Sequence, residues 1–520
     1  MEFFQIVVSI VMLPAFLLVM RYNMHMFQLN GYFNGEHRDW LKQKHGKQRS
    51  LLFLCVFGVL SAVFPTALPL MALLVTALVV WRYYQFLKKI NTKKNIVYTH
   101  RVQRMIGADI VLAVVIAAAA VWGSGISVLP GTLAVLTALQ MFVFLLINIL
   151  MKPFEKMIKN RYIRDAERIL AANPDLKIIG VTGSYGKTSV KFYLQTLLSS
   201  RYSVLVTPES YNTPMGVVKT IRESLRSTHE IFVCEMGARK TGEIKEICDF
   251  VHPDHGLITS IGPAHLDTFH SIDNIVKTKF ELADALPECG TLFLNGDNEY
   301  LSENSGKYPN VVFYRNHSAG AGYCAGNIHL SQKGTEFTVT APSGETEKFQ
   351  TRLLGEHNII NIAGAIAVAN TFGIPLKELR VPVRRIRPVP HRMEMIERGA
   401  VTIIDDAYNS NPVGSRAAVE TLKNFDGIRI LITPGMVELG DREEEYNYKF
   451  GGYAADCCDY VLLIGRRHTA PIEKGLLEKG FPGERCHVYE HLRDALDFAY
   501  GIRAEGHKFI LLENDLPDNY

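Results

Sequence analysis

A lysine and a hydroxyl at the end of a glycine turn, Thr182-Gly183-Ser184-Tyr185-Gly186-Lys187-Thr188, are the groups in this chain best suited to hold a polyphosphate. Backbone N–H groups at a helix N-terminus face phosphate oxygens, a lysine there reaches the terminal phosphates, and an adjacent threonine hydroxyl can ligate Mg2+. The spacing is a shortened form of the usual phosphate loop. The first glycine of G-x-x-x-x-G-K-[ST] falls at Val181, which leaves G-x-x-G-K-T. A metal at such a loop needs hard oxygen ligands, and Glu230-Ile-Phe-Val-Cys-Glu235 brings a carboxylate to the end of an apolar run. Taken alone, Glu235 is an ordinary strand terminus. The run Leu257–Ile261 leads into Gly262-Pro-Ala-His265-Leu-Asp267, placing an imidazole at another expected strand end, although a single histidine is more often a core or surface residue. Lys277-Thr-Lys279-Phe-Glu281 lies near an expected helix start, where lysines ordinarily form a solvated face.

An α/β frame has to position these groups. From Asp175 onward short apolar runs alternate with helical periods: Lys177–Thr182 reads as a strand, Gly183–Lys187 as a turn and Thr188–Ser200 as a helix. In an open α/β sheet such strand ends meet the ligand crevice. The eight cysteines (55, 234, 248, 289, 324, 457, 458 and 486) include no C-x-x-C pair, which removes support for a zinc ribbon or a dithiol redox site. Cys457–Cys458 is a vicinal pair without metal spacing, and reduced, mostly buried thiols are expected.

Residues before this frame have another character. Residues 1–152 hold 14 Lys+Arg against 4 Asp+Glu, leaving 42 against 48 for the remainder of a 520-residue chain whose net charge is only +4. The basic excess belongs to segments between apolar blocks, so it is no argument for nucleic acid. Phe3–Met20 is uncharged for 18 residues, Leu51–Trp81 for 31 and Ile110–Met151 for 42. Crossing ~30 Å of hydrocarbon takes about 20 helical residues. The acidic Glu2 and the lack of an A-x-A cleavage site favour a retained anchor over a signal peptide. With both basic segments and the body beyond Lys152 on the cytoplasmic side, each longer block must go out and return. Gly123–Gly131 is the expected turn of the second hairpin; Pro65 and Pro69 mark that of the first, whose arms are short unless it extends through Tyr83–Leu87. Five spans are expected, with three as the alternative.

The order of the chemical groups resembles the Mur ligase family, the ATP-dependent amide-bond ligases of peptidoglycan synthesis, over roughly residues 175–515, and most closely its MurF branch. The residues that carry it are Thr182–Thr188, Glu235-Met-Gly-Ala with Gly242-Glu-Ile, Ala264-His265-Leu, Lys279-x-Glu281, Asn295-Gly-Asp297, Gly355-Glu-His357-Asn358-Ile-Ile-Asn361, Asp405-Asp406-Ala-Tyr408-Asn409-Ser-Asn411-Pro412 and Gly435-Met-Val-Glu438-Leu-Gly440. The resemblance implies that Lys187 and the amides of Thr182, Gly183, Ser184, Tyr185, Gly186 and Thr188 hold the ATP phosphates, and that Thr188 takes a first Mg2+. It further implies that Glu235 and His265 bind magnesium, His265 the second ion, and that Lys279 is carbamylated by CO2 into a metal ligand. Asn361 is implied at the nucleotide base, Arg392 at a phosphate and Asp406 near the ribose. Tyr408, Asn409 and Asn411 would line the cleft where the last domain closes. Lys187, Lys279 and His265 are the expected catalytic group. The implied reaction activates a substrate carboxylate as an acyl phosphate, which an amine then attacks.

One departure stands out against this family pattern: a membrane head replaces the soluble UDP-sugar domain with which the MurF branch begins. A juxtamembrane basic helix (Lys152 to Arg168) follows that head, and Pro434-Gly435-Met436 replaces the expected Gly-Asp-Met. The expected architecture is an α-helical transmembrane region (1–152) followed by α/β, a P-loop central ATP-binding domain (153–387) and a Rossmann-like C-terminal domain (388–520). The expected function is addition of D-alanyl-D-alanine to UDP-MurNAc-tripeptide at the cell membrane, catalytic domains in the cytoplasm, with ATP and Mg2+ as cofactors. A Mur-like ligase for a lipid-linked or poly-γ-glutamate-type acceptor is the alternative. An ATP-coupled transporter or sensor is the alternative of another class, although the L-S-G-G-Q signature of ABC transporters is missing.

Overall fold

The computed structural model describes residues 2–43, 52–64, 69–87, 95–209, 211–316, 320–331, 334–408, 410–503 and 506–515. One compact unit ends at Lys159 and a second runs Asn160–Leu516.

The first unit is helical: α1 (Glu2–Leu29), α2 (Asn34–Gln43), α3 (Phe53–Val63), α4 (Pro69–Leu87), α5 (His100–Ser124) and α6 (Leu129–Ala171) as far as Lys159. Among the described residues, three segments, Glu2–Leu29, His100–Ser124 and Ile126–Ala171, are long and apolar enough to cross a membrane. The hairpin expected in the second apolar block is present, because α5 stops at Ser124, Gly125 turns the chain with φ 80°, and a 3-10 turn at Ile126–Val128 leads into α6. The first block is also two helices. Its connection at 65–68, Pro65 included, lies outside the described residues, and α4 does extend to Leu87. At about 1.5 Å per residue the 11 residues of α3 reach only ~16 Å, short of the hydrocarbon thickness.

Phe16, Met20, Met24 and Phe27 of α1 bury themselves with Val102 and Met105 of α5 and Leu136, Phe144 and Ile147 of α6. Helix α3 approaches α6 so closely that a Cβ on Gly58 would stand 2.7 Å from the Gly131 carbonyl oxygen. The Gln140 amide donates to Asp109 at 2.7 Å, tying α6 to α5 by their buried polar groups. Val111, Val114, Val115 and Trp122 of α5 instead face outward. The basic residues Lys152 to Arg168 occupy the last part of α6, without a break in the helix.

The second unit holds two sheets. The first contains β1 (Lys177–Thr182), β2 (Val204–Val206), β3 (Ile231–Glu235), β4 (His255–Ile258), β5 (Leu292–Asn295), β6 (Val311–Asn316), β7 (Tyr323–Ser331), β8 (Gly334–Thr340) and β9 (Thr346–Thr351). Their order is β2-β3-β1-β4-β5-β6-β7-β8-β9, parallel except at the β7–β8 and β8–β9 pairs. β1 is covered on both faces: Ile179 and Val181 join one hydrophobic cluster and Ile178 the other. That explains its unbroken apolar run. Helix α7 (Lys187–Leu198) follows β1 and sends Val190, Leu194 and Leu197 into the first of these clusters.

The second sheet contains β10 (Glu394–Arg398), β11 (Val401–Asp406), β12 (Ile428–Thr433), β13 (Tyr460–Ile464), β14 (Cys486–Tyr489) and β15 (Lys508–Glu513). Its order is β10-β11-β15-β12-β13-β14, with only β10 antiparallel. The last strand is therefore inserted between β11 and β12, which brings Asp406, Thr433 and Glu513 to one end of the sheet.

Candidate nucleotide and metal site

The register of the first sheet sets the site. Val181 of β1 pairs with Glu235 of β3, and Thr182 with Ile258 of β4, so the glycine turn leaves the sheet between two strand ends. Gly183 has φ 146°, and a Cβ there would stand 2.0 Å from the Thr259 hydroxyl. Gly186, with φ 79°, is the residue before α7, and a Cβ on it would meet the Asn361 side chain at 2.9 Å. Both glycines are thus required by conformation and by space. Neighbouring groups hold the loop. Ser184 N–H donates to Ser260 O at 2.7 Å, Tyr185 Oη donates to Pro263 O at 2.8 Å, and Thr259 Oγ1 donates to the Tyr185 carbonyl.

Lys187 folds back over this loop, donating to Gly183 O at 2.6 Å and Ser184 O at 3.2 Å. Burial lowers its pKa to about 8, with Glu235 opposing the shift and Arg392 adding to it. Thr188 Oγ1 donates to Glu235 Oε1 at 3.0 Å, and Asn212 Nδ2 donates to the same oxygen at 3.0 Å. The other carboxylate oxygen pairs with Lys191 Nζ at 2.9 Å, both side chains being completely buried. Burial alone would raise the Glu235 pKa. Lys191 and Lys187 outweigh it and hold the carboxyl below its usual value. A hydroxyl and an ionised carboxylate side by side suit a hard divalent cation. Among the described residues, no group of three or more His, Cys, Asp or Glu could hold a metal. A cation here would have to share its shell with phosphate oxygens.

His265 and Lys279 differ from their expected settings. β4 ends at Ile258, and His265 lies beyond it as the residue before the short helix Leu266–Phe269, with φ 52°. Its Nδ1 is 2.6 Å from Glu438 Oε2, and Glu438 Oε1 is 3.8 Å from Arg239 Nη2. Lys279 is in the interior of the helix Ile272–Asp284, which Ser271 caps, and it is buried rather than solvated; Lys277 is the exposed one. Its ammonium group is 5.9 Å from the Phe269 ring centroid. Burial, with Lys187 adding to it, pushes its pKa well below the usual lysine value. Glu281 accepts from Gly242 N–H at 2.7 Å and Lys245 N–H at 2.9 Å, capping the helix Glu243–Val251.

From the second sheet, Arg392 stacks its guanidinium 4.6 Å from the centroid of the half-exposed Tyr408 ring. Asp406 accepts from Met393 N–H at 3.2 Å, and burial raises its pKa to about 6 against the pull of Arg392. Asn411 caps the helix Pro412–Leu422, accepting from Gly414 N–H at 2.8 Å. Asn409 lies outside the described residues. Asn361, on the helix Glu356–Thr371, rests against Gly186 of the phosphate loop itself.

Four neighbours of the site carry no role in the sequence reading: Lys191, Asn212, Glu438 and Glu513. Lys191 has a local signal, since it stands one helical turn after Lys187 and Thr188 and so shares their face, and Glu438 stands in the Gly435–Gly440 block without a role attached to it. Glu513 is completely buried at the end of β15. It accepts from the Ser410 hydroxyl and from Thr433 Oγ1 at 3.2 Å. Burial raises its pKa to about 8, with Asp406 adding to the shift.

Arg392, just before the second sheet, lies close enough to Lys187 of the phosphate loop to lower its pKa, and such a site fits the class of ATP- and Mg2+-dependent ligases that join a carboxylate to an amine. The model of the Mur ligase middle domain matches residues 181–369, and that of the Mur ligase glutamate ligase domain matches residues 391–513. The chain belongs to the Mur ligase family. The UDP-N-acetylmuramoyl-tripeptide--D-alanyl-D-alanine ligase of Escherichia coli (strain K12) is 32% identical over 298 residues, 56% of this chain and 66% of that one. The enzyme of the same name from Bacillus subtilis (strain 168) is 31% identical over 328 residues, 62% of this chain and 69% of that one. This chain thus spans about two thirds of the length of these relatives. MurF from Acinetobacter baumannii superposes with a TM-score of 0.63 at 25% identity, covering 70% of this chain and 78% of that one. Helices α1 to α6 lie outside both matched stretches.

Proposed function

We propose that this protein is a membrane-anchored MurF-type ligase. It joins D-alanyl-D-alanine to UDP-MurNAc-tripeptide with ATP and Mg2+, on the cytoplasmic side of the cell membrane. The observation that carries the reading is the Thr188 hydroxyl 3.0 Å from Glu235 at the mouth of the Lys187 loop. The names of the 31–32% identical relatives supply the substrates. The three long apolar helices support the anchor, and the proposed division is 1–152 for the membrane region, 153–387 for the central domain and 388–520 for the last.

In this reading the loop amides and Lys187 bind the phosphates and orient the γ-phosphorus toward the substrate carboxylate. Lys187 already points at the carbonyls of the loop and would exchange them for phosphate oxygens. Thr188 would hold a first Mg2+ and His265 a second, with Glu235 binding the magnesium ions, and their charge would be available to offset that of the transferred phosphoryl group. Carboxylate oxygen bonds to phosphorus as the bond to ADP breaks. The amine then attacks the acyl carbon, phosphate leaves, and the ammonium proton is lost. Lys279 serves as the carbamylated ligand: a buried lysine whose uncharged form is favoured is the form that adds to CO2. Arg392 contacts phosphate, Asp406 the ribose side and Asn361 the nucleotide base, while Tyr408 and Asn411 line the cleft where the last domain closes. Closure of the second sheet excludes water from the acyl phosphate.

A second reading keeps the chemistry and changes the acceptor to a lipid-linked one; the apolar helices favour it. One assay separates the two. Detergent-solubilised full-length protein with ATP, Mg2+ and UDP-MurNAc-tripeptide is expected to release phosphate only after D-alanyl-D-alanine is added. No release with that pair, but release with a lipid-linked acceptor, moves the assignment to the second reading. Lys187→Ala is expected to be inactive in both cases, and unchanged product formation would overturn the ATP site.

A further inference from the structure

Glu438 belongs to the segment after β12 of the second sheet, and His265 to the segment after β4 of the first, yet their side chains meet at 2.6 Å. Arg239, after β3, stands 3.8 Å from the other oxygen of the same carboxylate. Both partners hold left-handed backbone conformations, His265 with φ 52° and Glu438 with φ 63°. For residues with side chains, such a conformation persists only where the surroundings over-determine it. A carboxylate accepting from Nδ1–H fixes the imidazole tautomer. The lone pair is then on Nε2, at the far side of the ring. Carboxylates that bind the back of a metal-ligating histidine in this way orient the ring and raise its basicity.

We propose that Glu438 is a positioning residue for His265, so that the imidazole presents Nε2 to a cation only when the second sheet has closed on the first. The proposal rests on the reading of His265 as a metal ligand. In the open state the link is broken and the ring is free to turn. Docking of the second sheet would then improve the metal site at the same time as it shuts out water. Occupancy of the His265 metal site becomes a sensor of closure, and Arg239 holds Glu438 from the central side.

The test uses full-length protein in detergent with ADP and titrates Mn2+ as the probe, followed by its electron paramagnetic resonance signal. Glu438→Ala is expected to weaken the His265-dependent Mn2+ site about tenfold or more. Glu438→Gln keeps the shape and an acceptor oxygen and is expected to recover most of that loss. In turnover, the alanine variant should need more Mg2+ for half-maximal rate, and Glu438→Gln should bring that requirement back toward the wild-type value. ADP affinity measured in a chelator should not change. Wild-type Mn2+ binding in Glu438→Ala, alongside loss of one site in His265→Ala, would overturn the proposal and leave the metal reading standing. Retention of both sites in His265→Ala would remove the metal reading and the proposal with it.

Discussion

Glu513 should make the fold lose stability as pH rises, and a single amide substitution should abolish the effect. Its carboxyl is completely buried at the end of β15, where Ser410 and Thr433 hydroxyls face its two oxygens and Asp406 adds a like charge. Its pKa is raised from 4.5 to about 8. At about 1.4 kcal/mol per pH unit, that difference amounts to about 5 kcal/mol between the two protonation states. A carboxyl held above its unfolded value favours the fold in its neutral form. The contribution is complete below pH 4.5 and is lost as pH rises from there through about 8. Between about pH 5 and about pH 8.5 the wild type should lose on the order of 4 kcal/mol from this group. Glu513→Gln keeps a carbonyl oxygen for the Ser410 hydroxyl, its N–H takes the place of the neutral acid's O–H toward a rotated Thr433 hydroxyl, and it cannot ionise. Melting of the two proteins is therefore expected to coincide near the acidic end and to diverge in favour of Gln by several degrees at the basic end, at roughly 2 °C per kcal/mol for a domain of this size. Removing the neighbouring charge also eases ionisation of Asp406, so the window belongs to the pair. Differential scanning calorimetry of both proteins across that range measures the gap directly. A gap that is flat with pH, or a wild type that gains on the variant as pH rises, would refute the reasoning.

Three other outcomes follow from the same geometry. Gly183→Ala places a Cβ 2.0 Å from the Thr259 hydroxyl at a φ of 146°, and should abolish binding of a fluorescent ATP analogue; retained binding would show that the loop is not the phosphate site. Lys191→Met leaves Glu235 buried without its ion partner. It should destabilise the fold by roughly 3–5 kcal/mol, with added MgCl2 restoring part of the melting temperature; an unchanged melt would contradict the pairing. Membranes from cells expressing the full chain should retain it through an alkaline carbonate wash, and release into the supernatant would count against spanning helices.

The parts of the site written in contiguous residues are legible in the sequence. Gly183 to Thr188 and the carboxylate at Glu235 follow from a strand, a turn and a helix whose signals are all local. The hairpin of α5 and α6 is legible because Gly125 interrupts an otherwise uncharged run. Lys279 reads as a solvated lysine because burial of a charged side chain is decided by what packs over it from elsewhere, here Phe269 and the body of the unit. His265 sits past the end of β4 because the chain leaves the sheet at Ile258 and reaches the short helix first. Glu513 carries no signal in the sequence. It meets Asp406 and Thr433 only because the last strand inserts between β11 and β12, a crossing of the sheet order that no periodicity encodes.

The pairing of Lys191 with Glu235 also bears on which ions the protein meets in a cell. A carboxylate already matched by an ammonium group offers little standing attraction to a stray divalent ion, and Lys187 and Arg392 nearby add repulsion. Polyphosphate, by contrast, is drawn to that surplus of positive charge. In this arrangement the metal arrives as the companion of the nucleotide, and the protein between turnovers is spared capture by tighter-binding transition metals that an unguarded oxygen site would collect.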